Sequence, residues 1–570
     1  MAGAGGVFPG VGAGGGGFDF ELRREAMAML KHKNGIIIDP NAANRASLRA
    51  MLGTIGMVQV LQASGAVDAL RRVKERTVDV ILCDYLLEDG RDGQQLLEEM
   101  RTRHLIPLST AFIVITRERR YQSVVSVAEL APDDYLLKPF TPQQLLERIE
   151  AVLEKKHAFR HAHRQVEAGQ VDPTLTACDD IIGRHPQYRL DALRLKAETL
   201  MAAKRTPEAQ ELYRQILAHK AVPWAKMGLA IASHRTGQLE EAADLTADIL
   251  QSHPTYIAAY DLAAKIDEER GLTAEAQGHL SQAVVHAPHA LARQRQLGRL
   301  AVENGDLEAA AAALSTVISR GAGTSLREVG DYAQLARVQM ESGKPAAALE
   351  TASALRRDLR DDPGARVAGN AMAALAHVRL GNAAEAAKAA ALALEGAQAA
   401  GDAVATHLLV DVAQAAMVTG QAEKGEALLR RAIAHSDGDS RFSQYVNRVM
   451  ATFQETAGAA EELHEDVRQH LVHINNEGVR LGMAGQLDEA IRLFRETVTQ
   501  MPSTQMLANA GKAILAKLNR DGWDADLAAE AKSCLERAAK RSPDDAKVRE
   551  ALAAYRTVAG KYGVRQTEGE

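Results

Sequence analysis

Gly237-Gln238-Leu239-Glu240-Glu241-Ala242 returns almost letter for letter as Gly485-Gln486-Leu487-Asp488-Glu489-Ala490. Each copy reads as a helix end, a left-handed turn at Gly, and the start of a second helix. Working outward, Gly237, Gly271 and Gly305 are spaced 34 residues apart. Ala230, Ala264 and Gly298 keep the same interval, as do Ala242, Ala276 and Ala310. Gly343, Gly381 and Gly420 continue at 38, 38 and 39 residues. Upstream, Gly169 lies 68 residues before Gly237, two periods, with Lys204 near the missing mark. Pro186, Pro254, Pro288 and Pro502 stand where second helices should stop. A fixed period of this size means helix pairs stacked in series, with small residues where helices approach closely.

Composition agrees. Of 570 residues, 46% are hydrophobic but only 4% aromatic, so the interior is filled with small aliphatic side chains. A rule of roughly 150 residues per domain suggests four domains, an estimate that repeats make misleading. The net charge of −6 excludes a broad nucleic-acid surface. Three scattered cysteines (Cys83, Cys178, Cys534) offer neither a disulfide framework nor a zinc site and fit a reducing compartment. No apolar run reaches 18 residues, so no membrane span is expected. Met1–Gly17 is glycine-rich without a basic residue; it reads as a flexible tail and not as a signal peptide. A cytoplasmic protein is the expectation.

From Asn34 to Leu153 the pattern is different. Apolar runs at Gly35–Asp39, Gln59–Gln62, Val78–Cys83, Ala111–Thr116 and Asp134–Leu137 alternate with amphipathic stretches at 45–52, 66–75, 94–102, 121–130 and 141–154. Such alternation predicts a doubly wound α/β domain with a parallel sheet, whose chemistry gathers at the carboxyl ends of the strands. Asp39, Asp84, Thr116 and Lys138 each fall at such an end.

The residues Ile36-Ile37-Ile38-Asp39, Cys83-Asp84-Tyr85, Ile115-Thr116 and Asp133-Asp134-Tyr135-Leu136-Leu137-Lys138-Pro139-Phe140 resemble the receiver domain of two-component response regulators. The helix pairs resemble the tetratricopeptide repeat over about 155–560, most closely at 221–321 and 470–502. The expected fold is therefore a flavodoxin-like receiver followed by an all-α superhelical tetratricopeptide solenoid. The expected segments are a tail and lead-in helix at 1–30, the receiver at 31–154, a helical linker and degenerate repeat at 155–185, an array of about nine helix pairs at 186–560, degenerate at 440–470, and a flexible terminus at 561–570.

The resemblance implies site roles. Asp84 would accept a phosphoryl group from a histidine kinase or phosphotransfer protein. Asp39 and Asp84 would hold Mg²⁺, while Lys138 and Thr116 would contact phosphoryl oxygens. Tyr135 would turn inward as a switch, and Lys138–Pro139 would be cis. Two departures stand out. The family's second acid after the first strand is Pro40, which has no ligating side chain and should weaken the metal; Glu88 or Asp89 is a compensating candidate. Arg117 follows Thr116 where the family keeps a small residue. Asn475 and Asn509, 34 residues apart on first helices, are the candidate peptide-binding pair, against the plainer reading of local helix hydrogen bonding. Lys155–Arg164 reads as a solvated helix joining the two halves, with His157 and His161 on one face. Trp224 and Trp523 read as packing. No motif of a separate enzyme is present, so the expected function is a phosphorylation-responsive adaptor whose repeats bind a protein partner. The alternative is a constitutive scaffold with a degenerate receiver.

Overall fold

The computed structural model describes residues 30–87, 93–117, 132–288, 290–321, 327–436 and 439–562. The Gly-rich tail, the expected helix at 121–130, and Glu88 and Asp89 lie outside the described residues. The chain divides into two compact units, Met1–Ala287 and Pro288–Glu570.

Five strands open the first unit: β1 (Asn34–Ile38), β2 (Gln59–Ala63), β3 (Val80–Asp84), β4 (Ala111–Thr116) and β5 (Asp134–Leu137). Helices α1 (Ala42–Thr54), α2 (Ala66–Glu75), α3 (Gly93–Thr102) and α4 (Pro142–Glu167) connect or follow them. All neighbours pair parallel in the order β2-β1-β3-β4-β5. Both faces of the sheet are covered, which explains why its strands read as continuous apolar runs. Side chains alternate across the sheet. Ile37, Leu82, Ile113 and Ile115 face Leu145, Ile149 and Leu153 of α4. Ile36, Ile38, Cys83 and Val114 face Ala66, Ala69, Leu96 and Met100. The three cysteines are buried and form no disulfide.

Helix α4 starts at a capping box, in which Thr141 and Gln144 satisfy each other's backbone N–H groups. It then runs on as one helix to Glu167, so the expected boundary at 154/155 falls inside continuous helix. Beyond it come helix pairs. In the first unit they are Arg189–Ala202 with Thr206–His219, Pro223–Arg235 with Leu239–Ser252, and Ile257–Glu269 with Thr273–His286. The second unit begins with Leu291–Glu303 and Leu307–Arg320 and continues the same way to Ala546–Lys561.

The punctuation read from sequence is physical. Gly169, Gly237, Gly271, Gly305, Gly343, Gly381, Gly420 and Gly485 all have positive φ, between 67° and 85°. Lys204 occupies the same kind of turn at φ 60° without being a glycine. Helices end at Arg184, Ser252, His286 and Gln500, two residues before Pro186, Pro254, Pro288 and Pro502. Ala230, Ala242, Ala264, Ala276 and Ala310 are wholly buried, the close-approach points behind the shortage of aromatics. The weak region at 440–470 holds a short helix, Ser440–Met450, a run of turns, and the start of a long helix, Ala459–Met483.

Candidate functional site

In a sheet ordered 2-1-3-4-5, connections from β1 and β3 leave in opposite directions, which opens a crevice at their carboxyl ends. Asp39 immediately follows β1 and Asp84 ends β3. Lys138, one residue past β5, reaches across to both. Its Nζ donates to Asp84 Oδ2 at 2.6 Å and to Asp39 Oδ2 at 3.1 Å. Asp39 is only 2% exposed, Lys138 16% and Asp84 19%, so this charge cluster sits in a sheltered pocket.

Local structure aims each group. The Asp39 carboxylate accepts the Asn41 N–H at 2.8 Å and the Asn44 side-chain amide at 3.1 and 3.3 Å. Arg45 Nη1 donates to the carbonyls of Asp39 and Pro40, fixing the turn that Pro40 begins. Asp84 Oδ1 accepts the Leu86 N–H at 3.0 Å. Thr116, buried at the end of β4, sits one residue beyond Ile115, the register partner of Asp84. The Thr116 carbonyl accepts the Lys138 N–H at 2.8 Å, tying the ends of β4 and β5. The Lys138–Pro139 bond is cis. Tyr135 packs half-buried against the Ile36, Cys83 and Val114 side of the sheet, with its hydroxyl oxygen buried. Arg117 is exposed.

The geometry can be tested against a divalent cation. Two carboxylates from separate strand ends meet one ammonium, so the spot accommodates positive charge. The third acid is absent because Pro40 takes its place, and no cluster of three His, Cys, Asp or Glu side chains occurs among the described residues. Mg²⁺ keeps several waters and needs only one or two carboxylates when phosphate oxygens complete its shell. The Asp39–Asp84 pair fits an ion held in that way.

Residues 36–150 match the family model of the response regulator receiver domain, and residues 200–266 match that of the tetratricopeptide repeat. The chain joins a receiver domain to tetratricopeptide repeats. A curated relative, "Probable transcriptional regulator ycf27" of Guillardia theta, is 32% identical over 126 residues. That match covers 22% of this chain and 47% of the relative, so the chain spans about half of that protein's length. Among solved structures, the C-terminal part of a repeat-containing protein from Cytophaga hutchinsonii is 15% identical, covers 44% of this chain and 97% of that one, and gives a TM-score of 0.32. A tetratricopeptide repeat protein from Parabacteroides merdae is 13% identical, covers 42% and 92%, and gives 0.28. What the family matches show is a response-regulator-like receiver at 36–150 and repeats of a protein-interaction type at 200–266. No described helix is long and apolar enough to cross a membrane.

In the repeats, Asn475 and Asn509 do meet, but they meet each other. Asn509 Nδ2 donates to Asn475 Oδ1 at 2.6 Å, and Gln505 adds a second donor at 3.0 Å. Trp224 packs edge-on against Tyr213 with Arg194 over its ring, and Trp523 packs against Tyr562. A cavity of about 800 Å³ in the second unit is lined by Arg295, Asp331, Arg337, His407, Asp411 and Tyr445. Arg337 and Asp411 pair at its wall, both largely buried. Burial pushes the Tyr445 hydroxyl pKa up and the His407 pKa down.

The helix expected to be solvated is so on one face only. His157, Arg160, His161 and Arg164 are exposed. Lys156 is 12% exposed and paired with Asp133 at 2.7 Å; burial depresses its pKa, and Asp133 opposes that shift. The signal was present as helical spacing, since Lys156, Phe159 and His163 share one face at i, i+3 and i+7.

Proposed function

We propose that this protein is a phosphorylation-responsive adaptor of a two-component phosphorelay. Asp84 accepts a phosphoryl group from a histidine kinase or phosphotransfer protein, and the repeat array binds a protein partner, both in the cytoplasm. The observation that carries the reading is the convergence of Asp39, Asp84 and Lys138 at the β1/β3 crevice. In the transfer, an Asp84 oxygen forms the new bond to phosphorus, the bond to the donor's imidazole nitrogen breaks, and the leaving nitrogen keeps the electron pair. Asp39 and Asp84 would hold Mg²⁺, which supplies charge neutralisation when bound. Lys138 then trades its bond to Asp84 for one to a phosphoryl oxygen, and the Thr116 hydroxyl donates to another. The added charge of about −1.5 to −2 is what the site must absorb. Tyr135, next to this rearrangement on β5, is the switch. The domain catalyses its own phosphoryl transfer and loss, and no other reaction is assigned to the chain.

The test is treatment of the full chain with acetyl phosphate, and separately with beryllofluoride, each with Mg²⁺. Wild type should gain one phosphoryl group by intact mass with the first reagent and show altered hydrogen exchange around Asp84 with the second. If Asp84→Ala behaves like wild type, the reading is wrong. Pro40 favours a second reading, a constitutive scaffold with a receiver that is never phosphorylated. That reading predicts that Asp84→Asn leaves partner recovery unchanged, and a clear loss of partners in that variant excludes it.

A further inference from the structure

Helix α4 packs on two different things. Its first half, through Leu145, Leu146, Ile149 and Leu153, covers the sheet. Its second half, through Phe159 and Ala162, packs on Ala177, Cys178, Ile181 and Ala192 of the first repeat helices. Polar contacts along the second half, from Lys156 and Glu167, return to the receiver. Lys156 Nζ lies 2.7 Å from Asp133 Oδ1 and donates to the Leu108 carbonyl at 2.8 Å. Glu167 Oε1 accepts the Leu108 N–H at 2.6 Å. Lys155 pairs with Asp191 on the next repeat helix.

Asp133 is placed to matter. It stands immediately before β5, and its other oxygen accepts the Phe112 N–H of β4 at 2.8 Å, while its own N–H donates to the Phe112 carbonyl at 2.8 Å. The strands it fastens are those that end in Thr116 and precede Lys138. Helix α4 is therefore joined to the β5 segment by the chain through Lys138–Thr141, by Arg148, whose Nη1 lies 3.2 Å from Asp134 Oδ2, and by Lys156 at Asp133, of which Lys156 lies nearest the repeats. A lever held at several points follows a shift of that strand, and its far half is built into the repeats.

We propose that the Lys156–Asp133 pair is the coupling point through which the state of the Asp84 pocket reaches the first repeat helices. The proposal rests on the phosphoryl-acceptor reading for its input, but the coupling itself is a property of the clamp. Lys156 is a positioning residue, not part of the pocket. Coupling free energies of this kind correspond to about 5-fold or larger changes in equilibrium.

Hydrogen exchange on the full chain tests this, with and without beryllofluoride and Mg²⁺, in wild type, Lys156→Met, the charge-balanced Lys156→Met/Asp133→Asn, and Lys156→Arg. In wild type, beryllofluoride should slow exchange at 111–116 and change it about 5-fold or more over 171–202. In both Met variants the response at 111–116 should persist while that at 171–202 disappears, and Lys156→Arg should restore it. An unchanged response at 171–202 in the double variant overturns the coupling. A wild-type pocket that ignores beryllofluoride overturns the phosphoryl reading instead, and the clamp is then judged without the reagent. In that arm, the Met variants must speed exchange at both 132–137 and 171–184, and exchange equal to wild type at either segment overturns the clamp.

Discussion

The receiver and the repeats are held together over different sequence distances. Lys138 bonds residues 99 and 54 positions away. Several side-chain bonds between adjacent repeats fall close to one period, although Arg337 reaches Asp411 across 74 positions and Arg541 reaches His435 across 106. Arg205 reaches Asp172 across 33 positions, Asn509 reaches Asn475 across 34, Arg495 reaches Glu530 across 35 and Arg295 reaches Asp331 across 36. A sheet core closes only when remote segments meet, so it is stabilised as one body. A repeat array is close to a sum of nearest-neighbour interfaces. Damage should therefore spread through the receiver and stay local in the repeats.

The largest effect should come from Lys138→Met, which leaves Asp39 and Asp84 facing each other without the shared ammonium. Removing one member of a sheltered ion cluster costs about 3 kcal/mol. The loss should appear across the whole receiver in urea unfolding followed by hydrogen exchange. Adding Asp84→Asn should recover much of it, because the remaining like-charge pair is gone. A loss confined to β5 would break the comparison.

Gly228→Val tests the other half. A Cβ at Gly228 would lie 2.3 Å from the Tyr213 ring, and overpacking of this kind costs about 2 kcal/mol. Faster exchange should be confined to helices Thr206–His219 through Leu239–Ser252, with the receiver strands at the wild-type rate.

His163 sits on α4 where the two regimes join. Burial, with Lys156, Arg101 and Lys155 nearby, pulls its pKa from 6.5 down to about 3. Its Nδ1 is buried and makes no hydrogen bond among the described residues. The folded state thus keeps His163 neutral between those values, while the unfolded chain binds a proton. Stability contributed this way is present above pH 6.5 and is lost as pH falls towards 3, by at most about 1.4 kcal/mol per pH unit. His163→Gln should flatten that part of the stability–pH curve, and an unchanged slope would remove His163 as its source.

Much of the fold and of the pocket is legible in the sequence. The apolar runs mark the strands to within about two residues because a sheet covered on both faces leaves such runs unbroken between turns. The positions of Asp39, Asp84, Thr116 and Lys138 followed from strand ends. What stayed hidden were partners chosen by tertiary geometry. Helical spacing sets Lys156 on the face of Phe159 and His163, but it does not say that Lys156 finds the half-buried carboxylate of Asp133, since charge in a helix reads as solvated until a second surface is known. Asn44 and Arg45, which hold Asp39 and its turn, are ordinary first-turn polar residues by sequence. The 34-residue spacing of Asn475 and Asn509 revealed a shared face, but not that one amide would satisfy the other.

The smallest predicted effect concerns the one place where the repeat beat falters without the fold following. Lys204 adopts φ 60° where equivalent turns use glycine. A left-handed residue with a Cβ pays roughly 1–2 kcal/mol, offset in part because glycine loses more freedom on folding. Lys204→Gly should therefore stabilise the pair Arg189–Ala202 and Thr206–His219 by about 1 kcal/mol. The reverse change, Gly271→Lys, should cost about the same, since nothing lies within 4 Å of a Cβ built there and only the backbone conformation resists it. Both are read as shifts in local exchange. In a nearest-neighbour array the gain should reach the helices flanking Lys204 and leave the sheet at its wild-type rate. Equal gains in the receiver strands would mean that α4 fuses the two regimes into one cooperative unit.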